Sequence, residues 1–205
     1  MPITILPINN KDEKELSDLC FRTSFVYPDP KLKEFINWRW LIPYCRTEAA
    51  NSFKAYDSEK NIIAGYILST LDTINFEKKC ISLYQNDSEI RNRQFLNSNE
   101  LSKEEIARFN SLYIYPVSKK EDPDYKIKIE YPAHLHIDVH PDYQGKGLGH
   151  KLTDTLIAHL KDKKCKGLHL SVGSTNLKGI SFYKKYGFTQ LTDNIDDGIY
   201  FGLKL

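Results

Sequence analysis

Long apolar runs are missing from these 205 residues, and so is an excess of charge of one sign: 29 Lys and Arg stand against 27 Asp and Glu, a net +2. No stretch reaches the roughly 20 apolar residues that a membrane-spanning helix requires. The opening MPITILPI is apolar but short, lacks a basic lead and meets the polar run Asn9–Lys14, so a first strand is expected there and not a leader. The even charge balance supplies no field for a nucleic-acid backbone or an anionic membrane surface, and neither partner is expected. Cysteine is scarce as well. Cys20, Cys45, Cys80 and Cys165 form no CxxC pair and no zinc-knuckle spacing. Reduced, partly buried thiols are the expectation, and with them a cytoplasmic protein. Internal repeats and biased segments are absent too. The 40% hydrophobic and 27% charged composition is that of a globular chain whose length suits one domain, 1–205, with a sizeable core.

The patterns that are present alternate between strand and helix. Ile3, Ile5 and Ile8 sit in a strand-like run, and Asn9 or Asn10 can cap a helix carrying Leu16, Leu19, Cys20 and Phe21 at helical spacing. Tyr27-Pro28-Asp29-Pro30 breaks the chain, and a second helix is expected over 31–40. Phe53–Tyr56 and Ile62–Leu71 flank the polar turn Asp57–Asn61 and read as a β-hairpin. Residues of about 72–131 are polar and charged, with helical stretches near 98–112 and a Pro/Lys/Asp-rich segment near 116–126; this reads as an insertion between the third and fourth strands. His134–Val139 alternates as a strand does, and Leu148, Leu152, Leu156 and Leu160 mark one stripe of a helix. Leu168–Val172 is a further strand, Asn176–Tyr186 a short helix closed by Gly187, and Phe188–Leu191 and Ile199–Leu203 complete a sheet. This order predicts an α/β fold with one mixed sheet and flanking helices.

Between the strand ending at Val139 and the Leu148 helix stand Gly145, Gly147 and Gly149. Glycine lets a backbone approach a ligand and adopt positive φ, and the first amides of a helix lack acceptors and favour an anion. Gly149 comes one residue too early for GxGxxG, and no GK[ST] follows for a Walker A loop. The segment Gln144-Gly145-Lys146-Gly147-Leu148-Gly149 resembles the Q/R-x-x-G-x-G/A signature of GNAT acetyltransferases. Asn176–Phe188 resembles that family's N-x-x-A-x-x-F-Y-x-x-x-G-F block, with Gly179 in place of the usual alanine. Together the two stretches cover roughly 133–192, and the element order extends the likeness along the chain. Tyr131–Asp138, Gly65–Leu68 and the long insertion are similar to one branch, which includes bacterial acetyltransferases resembling the C-terminal domain of O-GlcNAc hydrolases. Some eukaryotic domains of that branch have lost the glycine turn; this chain keeps it.

The resemblance implies a sheet with splayed central strands, acetyl-CoA as co-substrate and a primary amine as acceptor, with direct attack in a ternary complex. It implies that Gln144, Gly145, Lys146, Gly147, Leu148, Gly149 and His150 receive the pyrophosphate. It further implies that the backbone of Ile137 and Val139 meets the pantetheine arm, Asn176 contacts that arm or holds its loop, and Tyr183 protonates the leaving thiolate. Packed aromatic and plain helix cap are the alternative readings of Tyr183 and Asn176. His134, His136 and Asp138 share one strand face. Asp138 is the first candidate for general base, with His136 as partner or competitor; a hydrogen-bonded structural set and a His-x-His-x-Asp metal site are the other readings, and no metal is expected. Phe35, Trp38, Trp40 and Tyr44 either line an acceptor pocket or belong to the core. Lys161, Lys163, Lys164 and Lys166 suit a solvated helix end, and Cys165 has no activating neighbour. A coenzyme A or protein binding module without turnover is the alternative function, and a homodimer stays open.

Overall fold

The computed structural model describes residues 3–24, 30, 33–86, 102–104, 119–193 and 198–205. Seven strands form one mixed sheet: β1 (Ile3–Pro7), β2 (Phe53–Asp57), β3 (Ile62–Thr70), β4 (Ala133–Val139), β5 (Gly167–Gly173), β6 (Thr189–Gln190) and β7 (Gly198–Lys204), in the spatial order β1-β2-β3-β4-β5-β7-β6. Neighbours are antiparallel except β4 and β5, which run parallel. The α-helices around the sheet include α1 (Glu13–Thr23), α2 (Lys33–Trp40), α3 (Ile42–Thr47), α4 (Thr73–Asn86), α5 (Tyr125–Glu130), α6 (Leu148–Asp162) and α7 (Leu177–Tyr186).

Two apolar layers follow from the pleat, which sends successive side chains of β3 to opposite faces. On one face Tyr66 and Leu68 meet Leu16 and Leu19 of α1, Trp38 of α2, and Phe76 and Cys80 of α4. On the other, Ile67 and Leu135 meet the stripe Leu148, Leu152, Leu156 and Leu160 of α6, with Leu168, Leu170 and Phe201 beyond. Covered on both sides, β3 is buried from Ile63 to Thr70. Each leucine of the α6 stripe is almost wholly removed from water and contributes about 1.5–3 kcal/mol by burial. Asn9 caps the start of the first helical stretch, where its side chain accepts from Lys11 N in a capping box with Asp12.

Two elements differ from the sequence expectation. After α2, whose described part begins at Lys33, a separate α3 follows with Pro43 in its first turn, where a missing N–H costs nothing. The polar segment that reads as an insertion opens with the long α4, not expected from the sequence, whose Phe76 and Cys80 are fully buried in the layer on the Tyr66 face. Its far end is anchored as well: Lys128 of α5 bonds Glu77 of α4 at 2.9 Å and Asp124 at 2.8 Å, and Asp124 receives the Tyr200 hydroxyl at 2.7 Å. The helical stretch expected near 98–112 lies outside the described residues apart from 102–104, and most of the Tyr27–Pro30 break lies outside them too.

The central strands splay. β4 and β5 pair only at Ala133↔Leu168 and His134↔His169, whereas β3 and β4 stay in register from Thr70↔His134 to Gly65↔Val139. His140 N donates to Ala64 O at 3.0 Å, continuing that ladder. Backbone groups alternate sides along an antiparallel pair, so the even-numbered residues of β4 bond β3. The N–H and C=O groups of Ile137 and Val139 therefore face the side from which β5 has departed.

Candidate functional site

The glycine turn stands where β4 ends. Gly145 has φ 71° and Gly147 φ 78°, both left-handed, and a Cβ at either would meet nothing within 4 Å. Glycine is thus required by backbone conformation and not by crowding. Gly147 is the N-cap of α6 and provides no side-chain cap; the first helical bond is Lys151 N to Gly147 O at 3.1 Å. The amides of Leu148, Gly149 and His150 precede that bond and lack intrahelical acceptors. The first turn carries no acidic residue, and Lys146 and Lys151 flank it. A cavity of about 190 Å³ against the turn is lined by Ile3, Tyr143, Lys146, Leu148 and Lys151. Beneath it the buried Tyr143 hydroxyl donates to Asp57 at 2.5 Å, fastening the turn to the β2–β3 hairpin. The exposed Gln144 amide donates to the Val139 carbonyl at 3.0 Å, within the splay. At Gly149 α6 lies against Phe182, where a Cβ would make an ordinary contact at 3.5 Å, and His150 stacks on Tyr186 at 5.4 Å.

Tyr183 of α7 lies in the layer under the splay, in ring contact with Phe182, Phe188 and Phe201. Burial, and then the charge of Asp138, raise its phenol well above the ordinary value. It therefore stays protonated at neutral pH. Asn176 caps α7 by accepting from Gly179 N at 2.9 Å. An alanine Cβ at position 179 would stand 2.7 Å from Asn176 Nδ2, which explains the glycine here.

The three polar residues of β4 share a face as expected but fall into two separate sets. His134 Nε2 meets the Tyr44 hydroxyl at 2.5 Å, and Nδ1 meets Thr73 Oγ1 at 2.7 Å. Thr73 Oγ1 gives its own hydrogen to the Pro132 carbonyl, so His134 donates from Nδ1 and accepts at Nε2. Both ring nitrogens are used, and burial, with the neighbouring His169, holds this imidazole neutral well below its ordinary pKa. His134 is structural. Asp138 Oδ2 instead sits 3.2 Å from His136 Nε2 and receives the buried Tyr66 hydroxyl. Burial opposes charge on His136, but the Asp138 carboxylate outweighs it and raises the imidazole to about 10. Asp138 also helps to raise the Tyr66 phenol, after burial itself. Trp40, 43% exposed, stacks on His136 at 5.5 Å and carries the Arg39 guanidinium over its ring at 4.6 Å.

Residues 13–188 match the family model for the acetyltransferase (GNAT) family, which is most of the chain. The chain belongs to the GNAT acetyltransferase family. Among curated relatives, a probable spermine N(1)-acetyltransferase of Bacillus subtilis subsp. natto (strain BEST195) is 38% identical over 76 residues, which is 37% of this chain and 49% of the relative. The spermine/spermidine N(1)-acetyltransferase of Bacillus subtilis (strain 168) is 47% identical over 47 residues, 22% of this chain and 31% of the relative. The chain thus matches about half or less of these relatives' length. Of solved structures, SsHAT superposes with TM-score 0.76 at 24% identity, covering 98% of both chains. The PaiA N-acetyltransferase of Thermoplasma acidophilum, in complex with coenzyme A, superposes at 0.61 with 15% identity over the full length of both. These likenesses are of fold.

On this GNAT frame the glycine turn, the open edge of β4 and Tyr183 come to one region, and the His136–Asp138 pair approaches Tyr183 closely enough for Asp138 to perturb it. Of the aromatic quartet, Trp38 and Tyr44 are core, at 0% and 4% exposure, and Trp40 borders the His136–Asp138 pair through its stack on His136; the side chain of Phe35 lies outside the described residues. Sequence reasoning did not find Tyr66 or Cys20 as members of the site. Tyr66 pairs with Asp138 across the β3–β4 ladder, so recognising the hairpin register would have found it. Cys20, whose Sγ stands near His136 and Asp138, comes from α1 and is legible only in three dimensions.

Proposed function

We propose that this chain is an acetyl-CoA-dependent N-acetyltransferase, a single catalytic domain that passes the acetyl group directly to a primary amine. The observation that carries this reading is the conjunction of an uncapped α6 N-terminus, flanked by two lysines, with a β4 edge whose Ile137 and Val139 amides face an open gap. Those groups fit the two parts of coenzyme A: amides and lysines for the pyrophosphate, strand backbone for the pantetheine amides. Acetyl-CoA supplies the activated thioester. The protonated Tyr183 phenol gives its proton to the leaving sulfur. The Asp138–His136 pair receives the proton of the attacking amine, Asp138 as first acceptor, with Tyr66 holding the carboxylate in place. Gln144, Gly145, Lys146 and His150 complete the phosphate side, and Asn176 acts beside the pantetheine arm by holding the start of α7.

For the acceptor we put an aliphatic polyamine first. Its support is the activity named for the two Bacillus relatives, together with the partly exposed Asp138 carboxylate, which can meet an alkylammonium. Within the family we retain the branch similar to the acetyltransferase-like domain of O-GlcNAc hydrolases as our reading, resting on Tyr131–Asp138 and Gly65–Leu68. Calorimetric titration with acetyl-CoA, run beside a folded Gly147→Trp variant, tests the cofactor half. Binding to the wild type alone supports the assignment; no binding to the wild type removes it and leaves a scaffold without turnover. Steady-state assay with spermine, spermidine and an amino sugar then tests the acceptor.

A further inference from the structure

We propose that Cys20, His136 and Asp138 form a binding site for a thiophilic divalent cation of the zinc class, placed so that the metal blocks the acceptor end of the cleft. One ligand atom from each residue, the Cys20 Sγ, a His136 ring nitrogen and an Asp138 carboxylate oxygen, lies within 4.8 Å of the other two. Tetrahedral zinc with bonds of about 2.0–2.3 Å holds its donors roughly 3.3–3.8 Å apart, so the three need close by only about an ångström. His136 Nε2 and Asp138 Oδ2 already stand at 3.2 Å. No other group of three such donors occurs among the described residues.

The donors are held from behind, as metal ligands are. Trp40 lies stacked on the His136 ring, and the wholly buried Tyr66 donates to the Asp138 oxygen. Cys20 is locked on the buried face of α1, 2% exposed, next to Leu16 and Leu19. A cysteine there needs only apolar neighbours, yet its sulfur faces a carboxylate and an imidazole. His136 and Asp138 keep 25% and 18% of their side-chain surface, so the fourth position opens toward solvent. Three protein ligands with one exchangeable position is the pattern of accessible zinc sites. Thiolate, carboxylate and neutral imidazole sum to two negative charges and balance the dication; two protons, that of the Cys20 thiol and one from the His136 imidazolium, leave to solvent as the metal binds.

Metal binding itself is independent of the transferase reading, whereas inhibition rests on it, because the metal would take the lone pairs that receive the amine proton. The test uses the full chain, freed of metal with a chelator and titrated with Co2+. The expected result is one equivalent bound, with a near-ultraviolet thiolate-to-cobalt band that added Zn2+ abolishes. Cys20→Ser and Cys20→Ala, each checked for folding by circular dichroism, should lose the band and bind Zn2+ at least about tenfold more weakly. Tyr66→Phe, which removes the group behind Asp138, should weaken Zn2+ by about 10–100-fold while keeping the band. Cobalt bound without a thiolate band, or zinc affinity unchanged in both Cys20 variants, overturns the site. In an acetyl-transfer assay Zn2+ should inhibit the wild type and inhibit Cys20→Ser only at about tenfold higher concentration. A thiolate band without inhibition would leave the metal site standing and overturn the base assignment of His136 and Asp138.

Discussion

His134 and His136 stand two residues apart on the same face of β4 and are held in opposite protonation states. Both are desolvated, which disfavours the imidazolium. What separates them is the partner: His134 has two neutral hydroxyls, whereas His136 has the Asp138 carboxylate at 3.2 Å. Asp138→Asn removes the charge and leaves the burial. The His136 titration, read from its ring C–H resonances by NMR, should then fall from about 10 to below the ordinary histidine value near 6.5. A ring that stays protonated above neutral pH in the variant would refute the pairing. Tyr183 poses a different question at the same scale, because its aromatic packing and its proposed acid role are both met by one side chain. Tyr183→Phe keeps the packing and removes the proton. We expect kcat to fall by about 10²-fold or more with little change in acetyl-CoA affinity, measured by steady-state kinetics and calorimetry. Unchanged kcat would return Tyr183 to the core.

At the scale of elements, the start of α7 shows how one substitution in a family block is coupled to its neighbour. Asn176 folds back over the first turn to accept from Gly179 N, and a methyl at position 179 would press on the same amide. Gly→Ala inside a helix ordinarily stabilises by about 0.5–1 kcal/mol. In an Asn176→Ala background the three atoms nearest the new methyl are gone, so Gly179→Ala should show that gain there; with Asn176 present the gain should be cancelled or reversed. Urea unfolding of the four proteins should give a coupling energy of about 0.5–2 kcal/mol. Additive effects would mean that the cap and the glycine are independent. The same scale shows what the sequence carried. The Leu148 stripe, the alternation over His134–Val139 and the glycines at left-handed turns are local signals, and each became the expected element. α4 escaped because its buried stripe, Thr73, Phe76, Glu77 and Cys80, mixes polar with apolar side chains and so carries no clean apolar period, and α3 because it is only six residues long with Pro43 in its first turn. Tyr66 and Cys20 reach the site through register and helix packing, which a linear reading does not contain.

Across the whole molecule, buried histidines tie the fold to pH. His169 donates from Nδ1 to the Tyr131 carbonyl at 2.5 Å and is lowered to about 4, chiefly by burial; His134 beside it, with ring centroids 5.7 Å apart, is lowered as well. In the unfolded chain both take up protons near pH 6.5, whereas the folded chain keeps them neutral. The unfolded state therefore binds more protons below that pH, and stability is complete above about 6.5 and lost as pH falls through about 4. His136 has the opposite sign: its contribution is complete below about 6.5 and lost as pH rises toward about 10. Stability should thus be greatest near neutrality. Moving one imidazole from 6.5 to about 4 corresponds to about 3 kcal/mol. His169→Asn keeps a donor toward Tyr131 and cannot titrate. It should be less stable than the wild type at pH 7 through lost packing, and the gap should narrow by roughly 2–3 kcal/mol by pH 4, measured by urea unfolding at each pH. A gap independent of pH would mean that His169 is protonated in the folded protein, and the acid sensitivity would then belong to His134 and the carboxylates alone.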